Sequence, residues 1–156
     1  MIDALGLDPV QFRASVVRPT LKAIGLWSES AEALVLGTAI HESGLRWLAQ
    51  AGGPALGLYQ IEPATHKDIW ENYLAYRPPL ARVVQGLAAT RTDIELVRNL
   101  AYATAICRVR YARAPAALPA ASDVDGLAAY WKAHYNTALG AGDPAQWARR
   151  FRETLA

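Results

Sequence analysis

The feature that most constrains this chain is a series of helix-start signals along its length. Aspartate precedes proline at Asp8-Pro9 and at Asp143-Pro144, and Pro63 opens a further segment. A short polar side chain at the N-cap accepts a backbone hydrogen bond, and proline fits the first helical turn because it has no N–H to leave unsatisfied. Apolar residues between these points recur at three- and four-residue steps, whereas alternating patterns are almost absent. The sequence therefore predicts a mainly helical fold.

Length and composition predict one domain over residues 1–156. The chain is 53% hydrophobic and 19% charged, which excludes disorder. Its formal net charge of +2, with acids and bases interspersed, gives no electrostatic argument for nucleic-acid binding. No apolar run approaches the roughly 20 residues of a membrane-spanning helix, so we expect no membrane insertion. Cys107 is the single cysteine, so no internal disulfide forms, and its position within a helix predicts a buried thiol.

Individual helices can be predicted from their caps. Ser28 or Ser30 caps a helix that ends near Gly44, and Thr92 with Glu95 forms a capping-box pattern for a helix reaching about residue 113. Further helices are predicted for residues 63–76, 80–89, 122–134 and from 143 onward. The segment from 49 to 63 interrupts the helical period with glycines and prolines, so we expect a loop with at most a small irregular β excursion near residues 58–61.

Glu42 is the most informative single residue. Leu34, Val35, Thr38 and Ala39 share its helix face, so burial should disfavour its charge. It also lies in the last helical turn, where the helix dipole disfavours a carboxylate. Both effects raise the pKa toward the range in which a general acid works near neutral pH. The alternative is a carboxylate that points to solvent at a helix end.

Several other chemistries are excluded by the sequence. His41-Glu42 begins like a zinc-protease helix, but Leu45 stands where the second histidine would be. His66 and His134 are isolated, so we expect surface or hydrogen-bonded histidines and no metal site. No Gly-x-Ser-x-Gly motif is present, which makes nucleophilic serine chemistry a poor explanation. No cofactor motif is found, and we expect none to be needed.

Three short motifs resemble, in order and spacing, the signatures of the soluble lytic transglycosylase family. They are Glu42-Ser43, then Gly57-Leu58-Tyr59-Gln60, then Tyr135-Asn136. Asn99, at the start of a long helix, is similar to the same family pattern. The likeness covers roughly residues 28 to 140. This family belongs to the lysozyme superfamily with goose-type lysozyme, and the resemblance implies a compact lysozyme-like helical domain with a groove beside residues 49–62.

The resemblance also implies roles for the residues of the first two motifs. Glu42 would be the catalytic acid and base, and Ser43 would contact substrate or order the site. Gly57 and Gln60 would line the groove, Gln60 by hydrogen bonding to sugar. Tyr59 stands where the family usually has methionine, and this departure would alter sugar stacking.

The third motif, and aromatic and acidic residues near the other motifs, supply further candidates for the site. Tyr135 would lie close to Glu42, and Asn136 would help to fix the turn after it. Glu62 adds a second carboxylate whose role is open. Its plainer interpretation is a first-turn charge favoured by the helix dipole. Tyr59 and Trp47 are the aromatic residues expected at the groove, whereas Trp131 and Trp147 have the spacing of core residues.

The function implied is cleavage of the β-1,4 bond between N-acetylmuramic acid and N-acetylglucosamine in peptidoglycan, leaving a 1,6-anhydro end. That reaction needs one carboxyl group, whereas ordinary glycosidases use two. A hydrolytic lysozyme that uses Glu42 with Glu62 or Asp68 is an alternative. A non-catalytic virion domain of lysozyme-like fold and a plain helical adaptor are two others.

The expected location follows from the first residues. Residues 1–9 lack a basic stretch followed by a long apolar one, so they do not predict a secretory signal. A wall-cleaving enzyme made in the cytosol then needs another route to its substrate. Release through a membrane lesion as a bacteriophage endolysin, or carriage in a phage particle with other virion proteins as partners, both fit.

Overall fold

The computed structural model of the chain describes residues 5–136 and 140–156. Residues 1–4 of the segment considered for a secretory signal, and residues 137–139 after Asn136, lie outside the described part. The fold is mainly helical, as predicted. The helices are α1 (Pro9–Phe12), α2 (Arg18–Ala23), α3 (Glu29–Ser43), α4 (Pro63–Asn72), α5 (Pro78–Gln85), α6 (Ile94–Arg98), α7 (Leu100–Ala112), α8 (Val124–Trp131) and α9 (Pro144–Thr154). Widened helical turns cover Arg13–Val17 and Lys132–Asn136, and a 3₁₀ turn covers Leu74–Tyr76.

Helix α3 is the centre of the fold. It packs against α7, α8, α9 and the widened turn that follows α1, and nearly every residue from Ala31 to Ile40 is buried. A helix that is apolar on nearly all sides is stable only when other elements cover it, and these four elements cover α3. The Thr38 hydroxyl lies 2.7 Å from the Tyr111 hydroxyl of α7, so a buried hydrogen bond joins the two central helices.

Both ends of α3 follow from the sequence. The Ser28 side chain accepts a hydrogen bond from the backbone N–H of Ala31 at 3.0 Å, which decides between the two predicted caps. Gly44 ends the helix in the left-handed conformation, with φ of 62°, which glycine adopts without strain. Glu42 is thereby held in the last turn of a helix whose body is buried.

The helix predicted from the Thr92 cap to about residue 113 is wrong, because the chain breaks it at Asn99. Asn99 instead lies at the start of the long helix α7, as the family pattern implied. This residue is extended, with φ of −117° and ψ of 99°, between α6 and α7. Its side-chain oxygen accepts from the Tyr102 backbone N–H at 2.9 Å, and its amide donates to the Leu87 carbonyl at 2.7 Å. Asn99 therefore caps α7 and ties its start to the preceding loop. The helix predicted to start at residue 122 also starts later, because Asp123 is the cap of α8 and the helix begins at Val124.

The loop before α4 is a compact turn with little strand character. Leu56 and Ile61 exchange two backbone hydrogen bonds of 3.0 Å, and Leu56 also forms an isolated bridge with Ala49. Cys107 of α7 is buried, as predicted. In the part of the chain that the structure describes, no helix combines the length and apolar character needed to cross a bilayer.

Gly57 holds this loop against α6. Its φ is 76°, and a Cβ at this position would overlap the Leu96 carbonyl oxygen. We expect Gly57→Ala to lower the free energy of unfolding by about 2–5 kcal/mol, from backbone strain together with the steric clash. Urea denaturation followed by circular dichroism measures this loss.

Gly52→Ala is the matched control, because Gly52 has a φ of 69° in the same loop but no atom within 4 Å of the point where a Cβ would lie. This substitution should lower stability by only about 1–2 kcal/mol, the strain of a left-handed alanine. Equal losses in the two variants would show that the contact between Gly57 and Leu96 does not constrain the loop.

Candidate functional site

Glu42 lies where two clefts meet. The first cleft, of about 560 Å³, is lined mostly by polar residues. The second, of about 850 Å³, is lined by the last turn of α3, the residues that follow it and residues 5–9. Among the described residues that line them, Glu42 is the one common to both. The first cleft is lined by Glu42, Gln50, Ala55, Gln60, Glu62, Thr65, Arg110, Tyr135, Asn136 and Gly140. The motifs singled out in the sequence therefore meet at one place.

The carboxyl group of Glu42 is partly buried and hydrogen-bonded. Its Oε1 accepts a hydrogen bond from the indole Nε1 of Trp131 at 3.0 Å. Burial raises the pKa of Glu42, while the Trp131 hydrogen bond and the charges of Arg110 and Arg150 act in the opposite direction. Burial prevails, so the pKa lies above its ordinary value, as the apolar helix face predicted.

Trp131 has a second role that its sequence spacing does not reveal. Its side chain is fully buried, as expected for a core residue. Its indole N–H nevertheless points to the carboxyl group of Glu42 and links the end of α8 to the end of α3. The His41 ring packs edge-on against the same indole, with ring centroids 4.6 Å apart. Burial lowers the pKa of His41 to about 4, so this neighbour is neutral near pH 7.

Tyr135 lines the first cleft with Glu42, as the resemblance implied. It is buried, and its hydroxyl donates to the Tyr59 carbonyl at 2.5 Å, which joins the third motif to the second. The Arg110 guanidinium lies 4.0 Å from the centroid of the Tyr135 ring and donates to the Tyr135 carbonyl. Arg110 was not foreseen, because an arginine within a helix carries no sequence signal for a cleft.

The second motif contributes Gln60 to the first cleft, and Gly57 of the same motif holds Gln60 in place. Gln60 has a left-handed backbone, with φ of 50°. Its side-chain amide donates to the Gly57 carbonyl at 2.8 Å. Gly57 itself is buried beneath Leu96 and does not line the cleft. The expected role of Gly57 at the groove surface is therefore replaced by a positioning role.

The expectation that Tyr59 stacks on sugar is wrong. Its side chain is 1% exposed, and its hydroxyl lies 2.8 Å from the Thr104 hydroxyl of α7. The ring fills core space near Phe12, so it faces away from the cleft. Trp47 is 60% exposed at the second cleft, with the Arg46 guanidinium 5.0 Å from its ring centroid, and it remains available to a ligand.

Ser43 and Asn136 hold backbone around the site. The Ser43 hydroxyl is buried and donates to the Ala39 carbonyl at 3.0 Å, and the residue lines the second cleft. The Asn136 side-chain oxygen accepts from Lys132 Nζ at 2.7 Å and from the Gly142 N–H at 3.2 Å. The first bond lies within the widened turn, and the second connects the end of that turn to the chain before α9.

The acidic residues proposed as partners of Glu42 differ in position. Glu62 lines the first cleft, exposed at the start of α4. Asp68 lies outside both clefts and pairs with Arg113 at 2.6 Å. Of the two, only Glu62 is available as a second carboxylate. Within residues 5–136 and 140–156, no group of three potential metal-ligating side chains converges.

Comparison of the chain with protein families, with curated protein sequences and with solved structures gave no match. A functional conclusion therefore depends on the geometry around Glu42 and on the motifs that meet there.

The hydrogen bond between Trp131 and Glu42 can be tested directly. Because the indole N–H favours the ionised carboxylate, Trp131→Phe should raise the pKa of Glu42 further above its ordinary value. Titration of the Glu42 side-chain carboxyl carbon by NMR measures the shift.

Trp147→Phe is the matched control for the loss of a buried indole. Trp147 is also fully buried, but its Nε1 has no hydrogen-bond partner within the described residues, and it packs against Gly37 and Phe151. This variant should leave the Glu42 titration unchanged. An unchanged titration in the Trp131→Phe variant as well would mean that the indole does not set the acidity of Glu42.

Proposed function

We propose that the chain cleaves the glycan strands of peptidoglycan as a lytic transglycosylase of lysozyme-like fold. The observation that carries this proposal is the position of Glu42, a partly buried carboxyl group of raised pKa where two clefts meet. A polymer bound across the end of α3 would place one bond beside this group. The convergence of Gln60, Tyr135 and Asn136 on the same cleft supports the family resemblance.

The chemistry proposed for Glu42 uses one carboxyl group twice. The protonated group gives its proton to the glycosidic oxygen as the bond from that oxygen to C1 of the muramic residue breaks. The resulting carboxylate takes the proton from the 6-hydroxyl of the same sugar, whose oxygen forms a new bond to C1. The product is a 1,6-anhydro end, and Glu42 returns to its protonated form. The Trp131 N–H stabilises the carboxylate between the two steps.

Hydrolysis of the same bond is the second candidate, and Glu62 is the observation that favours it. Its carboxyl group lines the cleft that contains Glu42. A second carboxylate in this position would activate a water molecule, as in glycosidases that use two acidic residues.

The products separate the two reactions. Purified peptidoglycan is digested with the chain, and the released muropeptides are analysed by mass spectrometry. Anhydromuramic ends support the transglycosylase, and reducing ends support the hydrolase. Intact glycan after prolonged incubation would contradict both proposals.

Glu42→Gln should reduce glycan cleavage by at least about 10²–10⁴-fold, because the side chain keeps its size but has no proton to donate. Glu62→Gln should retain most of the activity if the enzyme is a transglycosylase. Release of soluble muropeptides from purified walls measures both variants. Near-normal clearing by the Glu42 variant, with an inactive Glu62 variant, would show that the acid has been misassigned.

The same Glu42 variant has an expected effect on stability. Because the folded-state pKa of Glu42 is raised, the folded chain holds this proton more tightly than the unfolded chain. That stabilisation is fully present below the ordinary glutamate pKa of about 4.3 and is lost as pH rises through the folded-state pKa. The free energy of unfolding of Glu42→Gln, measured as its difference from that of the native chain, should therefore be higher at pH 7 than at pH 4. Urea denaturation at both pH values tests this, and a difference independent of pH would contradict it.

A further inference from the structure

Arg110 is a cation with no acidic partner in the described structure. It is partly buried on α7 and lines the first cleft with Glu42. Its guanidinium contacts the carbonyl and the ring face of Tyr135. No carboxylate among the described residues lies within 4.0 Å of it. Charged groups that leave water are normally paired, so a partly buried guanidinium with no direct carboxylate contact is suited to binding an anion.

Other arginines of the chain pair with carboxylates or bind backbone away from the cleft. Arg113, one turn further along α7, pairs with Asp68, and Arg18 pairs with Glu32. Arg108 donates to the Leu26 carbonyl on the side of α7 away from the cleft. Among the described residues that line the first cleft, Arg110 supplies the only positive charge. It is also held in place, because a stacked and hydrogen-bonded guanidinium loses little further freedom on binding.

We propose that Arg110 is a specificity-determining residue that binds a carboxylate carried by the glycan. The inference rests on the proposed function and names the chemical group that the site selects. Muramic acid differs from N-acetylglucosamine by a lactyl ether that ends in a carboxylate or, where a peptide is attached, in an amide. A guanidinium can bind a carboxylate through two parallel hydrogen bonds. The anion is therefore either the free lactyl carboxylate or a carboxylate of the attached peptide.

Binding of such an anion would also affect Glu42. The charge of Arg110 favours the ionised form of Glu42 and so lowers its pKa. A substrate carboxylate paired with Arg110 offsets that charge. The protonated acid is then favoured when the anionic substrate is bound, which is when the proton is needed.

The test measures glycan binding in the Glu42→Gln background, in which the strands stay intact and residue 42 remains neutral. Three ligands of equal length are compared: muramic acid strands freed of peptide, peptide-bearing strands, and N-acetylglucosamine oligomers. Arg110→Gln should weaken binding of a carboxylate-bearing strand by about 10- to 100-fold, as expected for loss of a charge-assisted hydrogen bond. It should change binding of the N-acetylglucosamine oligomer less than about threefold, within the range of a surface charge change. Tryptophan fluorescence follows binding, because Trp47 lines the second cleft and the buried Trp131 is hydrogen-bonded to the residue at position 42 in the native chain.

Two further variants separate recognition from structure. Arg110→Lys keeps the charge and should restore part of the lost affinity, whereas Arg149→Gln removes an exposed charge that lines neither cleft and should change nothing. If Arg110→Gln weakens binding of the peptide-free strands alone, the anion is the lactyl carboxylate. If it weakens binding of the peptide-bearing strands alone, the anion is a carboxylate of the peptide.

The outcomes also separate this inference from the proposed function. Equal weakening for all three ligands, together with cleavage of peptidoglycan by the native chain, would overturn the role of Arg110 and leave the function standing. No binding of any glycan, together with no cleavage of peptidoglycan, would overturn both.

Discussion

Burial of α3 on nearly every side is the constraint on which the rest of the structure depends. Because its body is surrounded by α7, α8 and α9, its last turn cannot turn away to solvent, and Glu42 is carried to the boundary of the core. A carboxyl group in that position loses hydration, which favours its protonated form. The acidity of Glu42 is thus a consequence of packing that involves residues far from the cleft.

Hydrogen bonds to backbone carbonyls assemble the rest of the site. The Tyr135 hydroxyl binds the Tyr59 carbonyl, Gln60 binds the Gly57 carbonyl, and Arg110 binds the carbonyl of Tyr135. Each bond joins a side chain to a position fixed by the path of the chain. Such contacts position side chains more rigidly than pairs between two mobile side chains. The second and third motifs are therefore held together by hydrogen bonds to main-chain carbonyls, although they are distant in sequence.

The sequence could predict most of the helices and the raised pKa of Glu42, because both depend on local rules. Ser28 as a cap and Gly44 as a stop follow from backbone chemistry within one turn, and the apolar face of Glu42 can be found from helical spacing. Helical periodicity did not predict the break at Asn99, because the apolar pattern continues across it and the hydrogen bond to the Leu87 carbonyl that stabilises the break joins it to the preceding loop. Only the family resemblance placed Asn99 at the start of a long helix. The burial of Tyr59 could not be predicted for a related reason, since Tyr59 lies in a loop and its partner Thr104 lies on α7, far away in sequence.

The two carboxylates of the first cleft illustrate how environment assigns different roles to the same chemical group. Glu62 is exposed to water at the start of α4, next to the positive end of the helix dipole. Glu42 lies at the opposite end of a helix, partly buried, where neither influence supports a charge. A reaction that needs one group to give a proton and then recover it requires the environment of Glu42. The asymmetry between these residues therefore suits Glu42, and not Glu62, to the role of proton donor in both proposed reactions, since a two-carboxylate mechanism also needs one acid of raised pKa.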